Sequence, residues 1–244
     1  MLTQTKQALL DKIGRESVLL DWKKAFGGKS FGNRHLERVN KIARFLNSKE
    51  GGDEFCTLTG AWVHDVSLAF GSDDDPGFVE GHTRTFLNEF KGLTREEKDL
   101  IVRCAAGHER GQNDLPIEAM IVHDSDVIDK SGMLGVIRHA WKMTNMLENR
   151  ILMGNSDLQK LLIHLENRED KLFTKTAIKL AGKVNRFRGL FANDKKFALE
   201  ILPKISQMAM DGKTSDFIAN WLVNNYDHPS LDGLKLQLSC DYLK

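Results

Sequence analysis

The stretch FCTLTGAWVHDVSLAF, residues 55–70, decides the fold that we expect for this chain. Its apolar side chains would occupy nearly every face of a helix, which is typical of a helix at the centre of a helical protein. His64 and Asp65 stand next to each other inside this apolar segment. An ionised carboxylate among apolar groups is costly unless it is paired or binds a metal. The sequence therefore predicts a partner for Asp65.

The remainder of the chain repeats the helical pattern. Only four prolines occur in 244 residues, and few segments alternate as strands do, so we expect an all-α protein. Leu36, Val39, Ala43 and Leu46 share one helical face, with His35 at its edge. Beyond Gly132, the helical patterns run over about residues 134–150, 157–167, 171–191, 195–210 and 214–225.

Local signals mark where these helices begin and where they are interrupted. The acidic stretch from Gly71 to Gly77 has the composition of a solvated loop. Thr94 followed three residues later by Glu97 predicts a capping box at a helix start. Pro116 suits the first turn of the helix that leads to Asp126.

Composition and charge exclude several classes of protein. Charged residues of the two signs nearly cancel, with a formal net charge of +1, so no overall field favours nucleic acid or a membrane. Three scattered cysteines do not form a disulfide framework or a Cys-x-x-Cys motif. Charges interrupt the first twenty residues, and no run of roughly 18 apolar residues could span a bilayer. We expect one compact cytoplasmic domain over residues 1–244.

Histidines and aspartates in apolar surroundings are the candidate functional residues. Imidazole nitrogen combined with carboxylate oxygen suits a divalent cation such as manganese, iron, nickel, cobalt, zinc or magnesium. The pair His64-Asp65 is the starting point for such a site. The residues that could complete it are His35, His82, His108 and Asp126.

The order His35, then His64-Asp65, then Asp126 resembles the signature of the HD-domain phosphohydrolase superfamily. The local strings HLERV from residue 35 and AWVHDV from residue 61 are similar to its first two motifs. DSDVID, residues 124–129, resembles the "DADxxD" string of a subgroup of small bacterial and archaeal HD hydrolases. The resemblance covers about residues 25–190, and residues 191–244 would form a helical C-terminal extension.

This resemblance implies that His35, His64, Asp65 and Asp126 hold a divalent metal ion, with one or two ions per chain. His82 and His108 fall where the superfamily often has histidines that bind a second metal or contact substrate phosphate. Asp65 would bridge two ions, and Asp129 would orient ligands through hydrogen bonds. We therefore group Asp65, His82, His108 and Asp129 as candidate catalytic residues.

Simpler roles stay open for several of these residues. His82 could cap a helix, His108 could be a buried core histidine, and Asp129 could hold a basic partner. Lys175 and Arg186 belong to a basic run that is usually a solvated helix face, although the resemblance gives them a role in binding substrate phosphate.

The expected function is hydrolysis of a small phosphate ester or anhydride by metal-activated water, with a nucleotide as the first guess for the substrate. A phosphomonoesterase or phosphodiesterase with the same ligands is an alternative. A regulatory HD module that binds metal or nucleotide with little turnover is another, because a fold does not fix a function. We expect no nucleic-acid or membrane partner, and a homodimer is an open expectation.

Overall fold

The computed structural model describes residues 2–107, 114–169 and 171–244, with the backbone alone at 168, 169, 188 and 190. These residues form helices and connecting turns, and none of them forms a strand, so the expected all-α fold is confirmed. The α-helices are α1 (Gln4–Lys24), α2 (His35–Glu50), α3 (Glu54–Val63), α4 (Pro76–Asn88), α5 (Arg95–Ala106), α6 (Ile117–Asp129), α7 (Gly132–Lys142), α8 (Asn155–Glu169), α9 (Lys175–Asn185), α10 (Gly189–Asn193), α11 (Lys195–Met210), α12 (Ser215–Asn225) and α13 (Leu231–Ser239).

The helices group into two compact units. The first unit comprises Met1–Phe31, His35–Asp126 and Leu172–Ala177. The second comprises Gly32–Arg34, Val127–Lys171 and Ile178–Lys244. The chain therefore passes from one unit to the other five times.

Helix α3 is the centre of the first unit. It packs against α1, α2 and α5, and Phe55, Leu58 and Ala61 on it are buried, as its apolar composition predicts. The helix ends at Val63, whereas the sequence pattern indicated a helix through Phe70. Asp65 leaves the helical conformation at φ −99° and ψ 10°, and a short 3₁₀ turn, Val66–Ala69, follows it.

Side-chain caps fix the beginnings of the helices in this unit. The Asp53 carboxylate accepts a hydrogen bond from the Cys56 amide at 2.7 Å and starts α3. The capping box of Thr94 and Glu97 at the start of α5 is confirmed. Asp75 caps α4, which begins at Pro76, so the acidic loop is shorter than the sequence suggested.

Helix α7 is the centre of the second unit, where it packs against α8, α11, α12 and α13. The Gln237 side chain on α13 caps it: its oxygen accepts hydrogen bonds from the amides of Met133 and Leu134, and its nitrogen donates to the Ser131 carbonyl. A buried amide can satisfy three backbone groups in this way. Helix α13 thereby fixes the start of α7.

All three cysteines are buried thiols. Cys56 and Cys104 lie in the first unit and Cys240 in the second. Burial raises the pKa of the Cys56 and Cys104 thiols well above the usual value. Among the described residues, no helix is both long and apolar enough to cross a membrane.

Candidate metal centre

The C-terminal end of α3 sets the orientation of the His64 ring. Its Nδ1 lies 2.9 Å from the carbonyl oxygen of Ala61, three residues earlier. A carbonyl oxygen can only accept a hydrogen bond, so Nδ1 donates to it, and Nε2 is the ring nitrogen that faces the other residues of the group. The ring is fully buried. Nε2 is therefore a candidate nitrogen ligand held in a defined direction.

His35, the first residue of α2, presents its ring to His64. The two Nε2 atoms are 3.3 Å apart, and the ring planes meet edge to face at 71°. Both rings are buried. Two imidazole nitrogens at this distance converge on one point, as the ligands of a common ion do.

Two carboxylates complete the group. Asp126 on α6 is fully buried, and its Oδ1 lies 3.1 Å from His35 Nε2 and 3.5 Å from His64 Nε2. Asp65 directs one oxygen to each histidine, with Oδ2 3.3 Å from His35 Nε2 and Oδ1 3.4 Å from His64 Nε2. Ligand atoms of His35, His64 and Asp126 lie within 4.8 Å of one another.

These distances match the spacing of ligands around one divalent ion. With metal–ligand bonds of about 2.1 Å, neighbouring ligand atoms are about 3.0 Å apart at octahedral angles and about 3.4 Å apart at tetrahedral angles. The measured separations fall between 3.1 and 3.5 Å. Two imidazole nitrogens and two carboxylate oxygens also form a donor set that suits a divalent cation. The residues present therefore fit a metal ion.

Asp124 lies two residues before Asp126 and bonds to backbone amides instead of facing the two histidines. Its carboxylate accepts hydrogen bonds from the backbone amides of Phe173 at 2.9 Å and Thr174 at 2.8 Å. Burial raises the pKa of the Asp124 carboxyl, and these amide hydrogen bonds oppose the rise. Asp124 thus fastens the segment before α9 to α6.

His82 lies within α4, not at its start, so it does not cap the helix. Its ring stacks on Phe70 at 4.4 Å and 12° and contacts Phe78 at 4.3 Å. The ring also lines an open cavity of about 310 Å³ together with residues of α1 such as Leu19. His82 is not one of the three residues whose ligand atoms converge.

Lys175 is exposed at the start of α9. The side chain of the next residue, Thr176, and its backbone amide, which donates at 2.8 Å, both hydrogen-bond to Glu50. These two bonds, together with the charge of Lys175, lower the pKa of Glu50. Glu50 ends α2, the helix that His35 begins, and a helix of this length separates them by about 22 Å. Lys175 therefore lies near the C-terminal end of α2, and His35 lies at the opposite end of that helix.

Asp129 and Arg186 are not among the residues whose ligand atoms converge. Asp129 ends α6 in the second unit, with one carboxylate oxygen 3.9 Å from an Arg138 guanidinium nitrogen. Arg138 is thus a basic partner of Asp129, as in the simpler role that the sequence left open for this aspartate. Arg186 is exposed in a 3₁₀ turn of the second unit. His108 lies outside the described residues.

The sequence did not predict the hydrogen bond between His64 Nδ1 and the Ala61 carbonyl, which sets the orientation of the His64 ring. A backbone group carries no sequence signal of its own. The spacing of three residues before the histidine is the one clue, because a side chain at a helix end can reach the unsatisfied carbonyls of the last turn.

Part of this chain is similar to a known protein family. Residues 33–131, which contain all four proposed ligands, match the HD domain family. The expected superfamily is thereby confirmed for this part of the chain. No curated protein sequence matches the chain.

Solved structures with this fold come from several bacteria. A protein of Listeria innocua is 25% identical with a TM-score of 0.59, covering 81% of this chain and 98% of its own. An HD-superfamily hydrolase of Bacillus thuringiensis is 23% identical with a TM-score of 0.60, covering 80% and 97%. Bacillus subtilis YpgQ in complex with ADP is 21% identical with a TM-score of 0.60, covering 82% and 99%. The chain is similar to nearly the full length of each.

Proposed function

We propose that this protein is a metal-dependent phosphohydrolase that acts on a small phosphate ester or anhydride, with nucleotides as the first substrate class. The observation that carries the proposal is the spacing of 3.1 to 3.5 Å among the buried ligand atoms of His35, His64 and Asp126. A divalent ion supplies Lewis acidity, which activates water and polarises a phosphoryl oxygen at neutral pH.

The histidine and aspartate side chains at this centre favour the binding of a cation. His64 turns Nε2 to the other residues of the group because its Nδ1 donates to the Ala61 carbonyl. Asp65 and Asp126 supply two negative charges in a buried position, where a cation offsets the cost of taking them out of water. His35 stands at the first position of α2, so its ring direction depends on where that helix begins.

Nucleotides are the first substrates to test because a protein with this fold, Bacillus subtilis YpgQ, was solved with ADP. That observation concerns the other protein and guides only the choice of compounds. The nearly neutral net charge of this chain gives no reason to prefer a polymer. A small phosphorylated compound is therefore the better first choice.

The decisive experiment is a panel of nucleoside mono-, di- and triphosphates and an aryl phosphate. Metal-free protein is assayed with manganese, nickel, cobalt, zinc or magnesium, and phosphate and pyrophosphate are measured separately. We expect hydrolysis that appears with metal and stops with a chelator. The released product then decides between anhydride cleavage and phosphomonoester or phosphodiester cleavage.

The second candidate is a regulatory HD module that binds metal or nucleotide without turnover. It is favoured if metal titration gives a defined stoichiometry and no compound in the panel is hydrolysed. Absence of both metal binding and nucleotide binding at neutral pH, with no hydrolysis, would contradict both candidates.

A further inference from the structure

Helix α12 contains a buried carboxylate that its own helix does not need. Asp216 is the second residue of α12, and only 4% of it is exposed to solvent. The start of α12 is already capped by Thr214, whose hydroxyl accepts a hydrogen bond from the Phe217 amide. An acidic residue in a first turn is normally solvated, and burial of its charge is costly without strong hydrogen bonds.

The carboxylate of Asp216 bonds to a segment far away in the sequence. Its Oδ2 accepts a hydrogen bond from the backbone amide of Arg34 at 2.9 Å. Both residues belong to the second unit, to which the short segment Gly32–Arg34 contributes. Hydrogen bonds to an ionised carboxylate are about twice as strong as those between neutral groups. The position of the Arg34 backbone is thus set by α12.

Arg34 is followed directly by His35, the first residue of α2. One peptide bond separates the amide that Asp216 holds from the residue that offers Nε2 to the candidate metal centre. A shift in the Arg34 backbone would move the Cα atom of His35, and its ring would follow. The ligand spacing at His35 is close, with 3.3 Å to His64 and 3.1 Å to Asp126.

We propose that Asp216 is a positioning residue that holds the start of α2, and through it His35, in the geometry that the metal centre requires. This inference rests on the proposed function and extends it, because it assigns control over a metal ligand to a C-terminal helix. Helix α12 packs against α7 and α13, so its first turn is a firm support for Asp216.

Asp157 offers a closely matched control. It lies in the first turn of α8 in the second unit, is 5% exposed, and accepts a hydrogen bond from the Met153 amide at 2.9 Å. It also pairs with Arg150. Asp157 thus shares with Asp216 its burial, a place in a first helical turn and a hydrogen bond from a backbone amide, but it holds a segment that contains no proposed ligand.

The test compares Asp216→Ala, Asp216→Asn and Asp157→Ala in the full chain. Metal affinity is measured with manganese and cobalt by competition with a chelator, and the cobalt absorption spectrum and melting temperature are recorded. We expect Asp216→Ala to weaken metal binding by about 10- to 100-fold and to alter the cobalt spectrum. Asp216→Asn keeps an acceptor oxygen and should restore most of the affinity.

Asp157→Ala should lower the melting temperature and leave the affinity and the spectrum near those of the wild type. Wild-type affinity and spectrum in Asp216→Ala would overturn the positioning role and leave the proposed function intact. Equal weakening by Asp157→Ala would also overturn it, since general destabilisation would then be the cause. If Asp216→Ala does not fold, Asp216→Ser takes its place, since its shorter side chain does not reach the Arg34 amide: reduced affinity with an altered spectrum supports the role, and wild-type affinity and spectrum overturn it. A wild-type protein that binds neither metal would overturn both proposals.

Discussion

Asp124 and Asp126 are identical side chains, two residues apart on one helix, and they make different contacts. Both are fully buried. Asp124 is satisfied by two backbone amides, whereas Asp126 lies against two imidazole nitrogens. Successive positions separated by two point to nearly opposite sides of a helix. The first aspartate therefore supports the fold, and we propose that the second binds the ion.

This difference predicts opposite effects of the same substitution. Asp126→Asn should weaken metal binding by at least about 100-fold, since losing a direct ligand exceeds the effect of losing a supporting group. The metal-free variant should be as stable as the wild type or more so, because a buried charge is removed. Metal titration and melting in chelator measure the two quantities.

Asp124→Asn is the matched control and should behave in the reverse way. Its amide nitrogen cannot accept from the Phe173 or Thr174 amides, so we expect a loss of about 2 kcal/mol in unfolding free energy with metal affinity close to wild type. Similar metal affinities for the two variants would refute the assignment of Asp126 as the ligand.

Helices α3 and α5 pack closely at Gly60. A Cβ atom placed on Gly60 would lie 2.6 Å from the Cys104 Cβ atom, which is closer than atoms can approach. Glycine is thus required here for packing, although its backbone is helical. Because α3 carries His64 at its C-terminal end, the packing also determines where that ring lies.

We predict that Gly60→Ala destabilises the protein by about 1–3 kcal/mol through overpacking. Gly182→Ala on α9 is the control, because an added Cβ atom there meets nothing within 4 Å. It should stabilise the protein by about 0.5–1 kcal/mol, the usual gain from replacing a helical glycine. Chemical denaturation of both variants measures the difference, and equal effects would show that backbone propensity outweighs packing at Gly60.

Helices with strong apolar periodicity were predicted well, and helices without it were missed. The patterns expected over 195–210 and 214–225 agree with α11 and α12 to within a residue. Helix α1 was not predicted, since its buried positions include Gly14 and Ser17, which weaken the apolar pattern. Helix α13 was missed because it is short and buries Gly233 and Gln237 on its inner side.

For the candidate site, the sequence motif predicted which residues converge but not the contacts around them. His35, His64, Asp65 and Asp126 are separated by up to 91 residues in the chain, and no local rule predicts their approach. The resemblance to a family did so. The surroundings of His82 and Lys175 depend on Phe70, Phe78 and Glu50, which only the folded chain brings near.

Both units of the molecule are built from discontinuous segments of chain. The segment Leu172–Ala177 belongs to the first unit, and the residues on either side of it belong to the second. Helix α6 begins in the first unit and ends in the second. Neither unit can therefore be cut out of the chain as one continuous piece.

We predict that the whole chain unfolds in one cooperative transition. Trp22 and Trp62 report on the first unit, and Trp141 and Trp221 on the second. Two double variants, each with one pair replaced by Phe, should show fluorescence midpoints in urea that coincide with those from circular dichroism. Metal in hundredfold excess over its Kd should raise the unfolding free energy that each tryptophan pair reports by about 2.7 kcal/mol, although the proposed ligands all lie in the first unit. If metal shifts the urea midpoint that one tryptophan pair reports and leaves the other unchanged, the two units unfold as independent domains.

The three buried thiols make the natural chain its own sensor of transient opening. A reagent in solution can modify a buried sulfur only when the surrounding structure opens, so the rate of modification reports the frequency of such events. The labelling rates of Cys56 and Cys104 report opening of the helices around α3, and the labelling rate of Cys240 reports opening at the end of α13. Mass spectrometry of each labelled peptide would then separate local breathing near the chain's end from openings of the interior, with no engineered label.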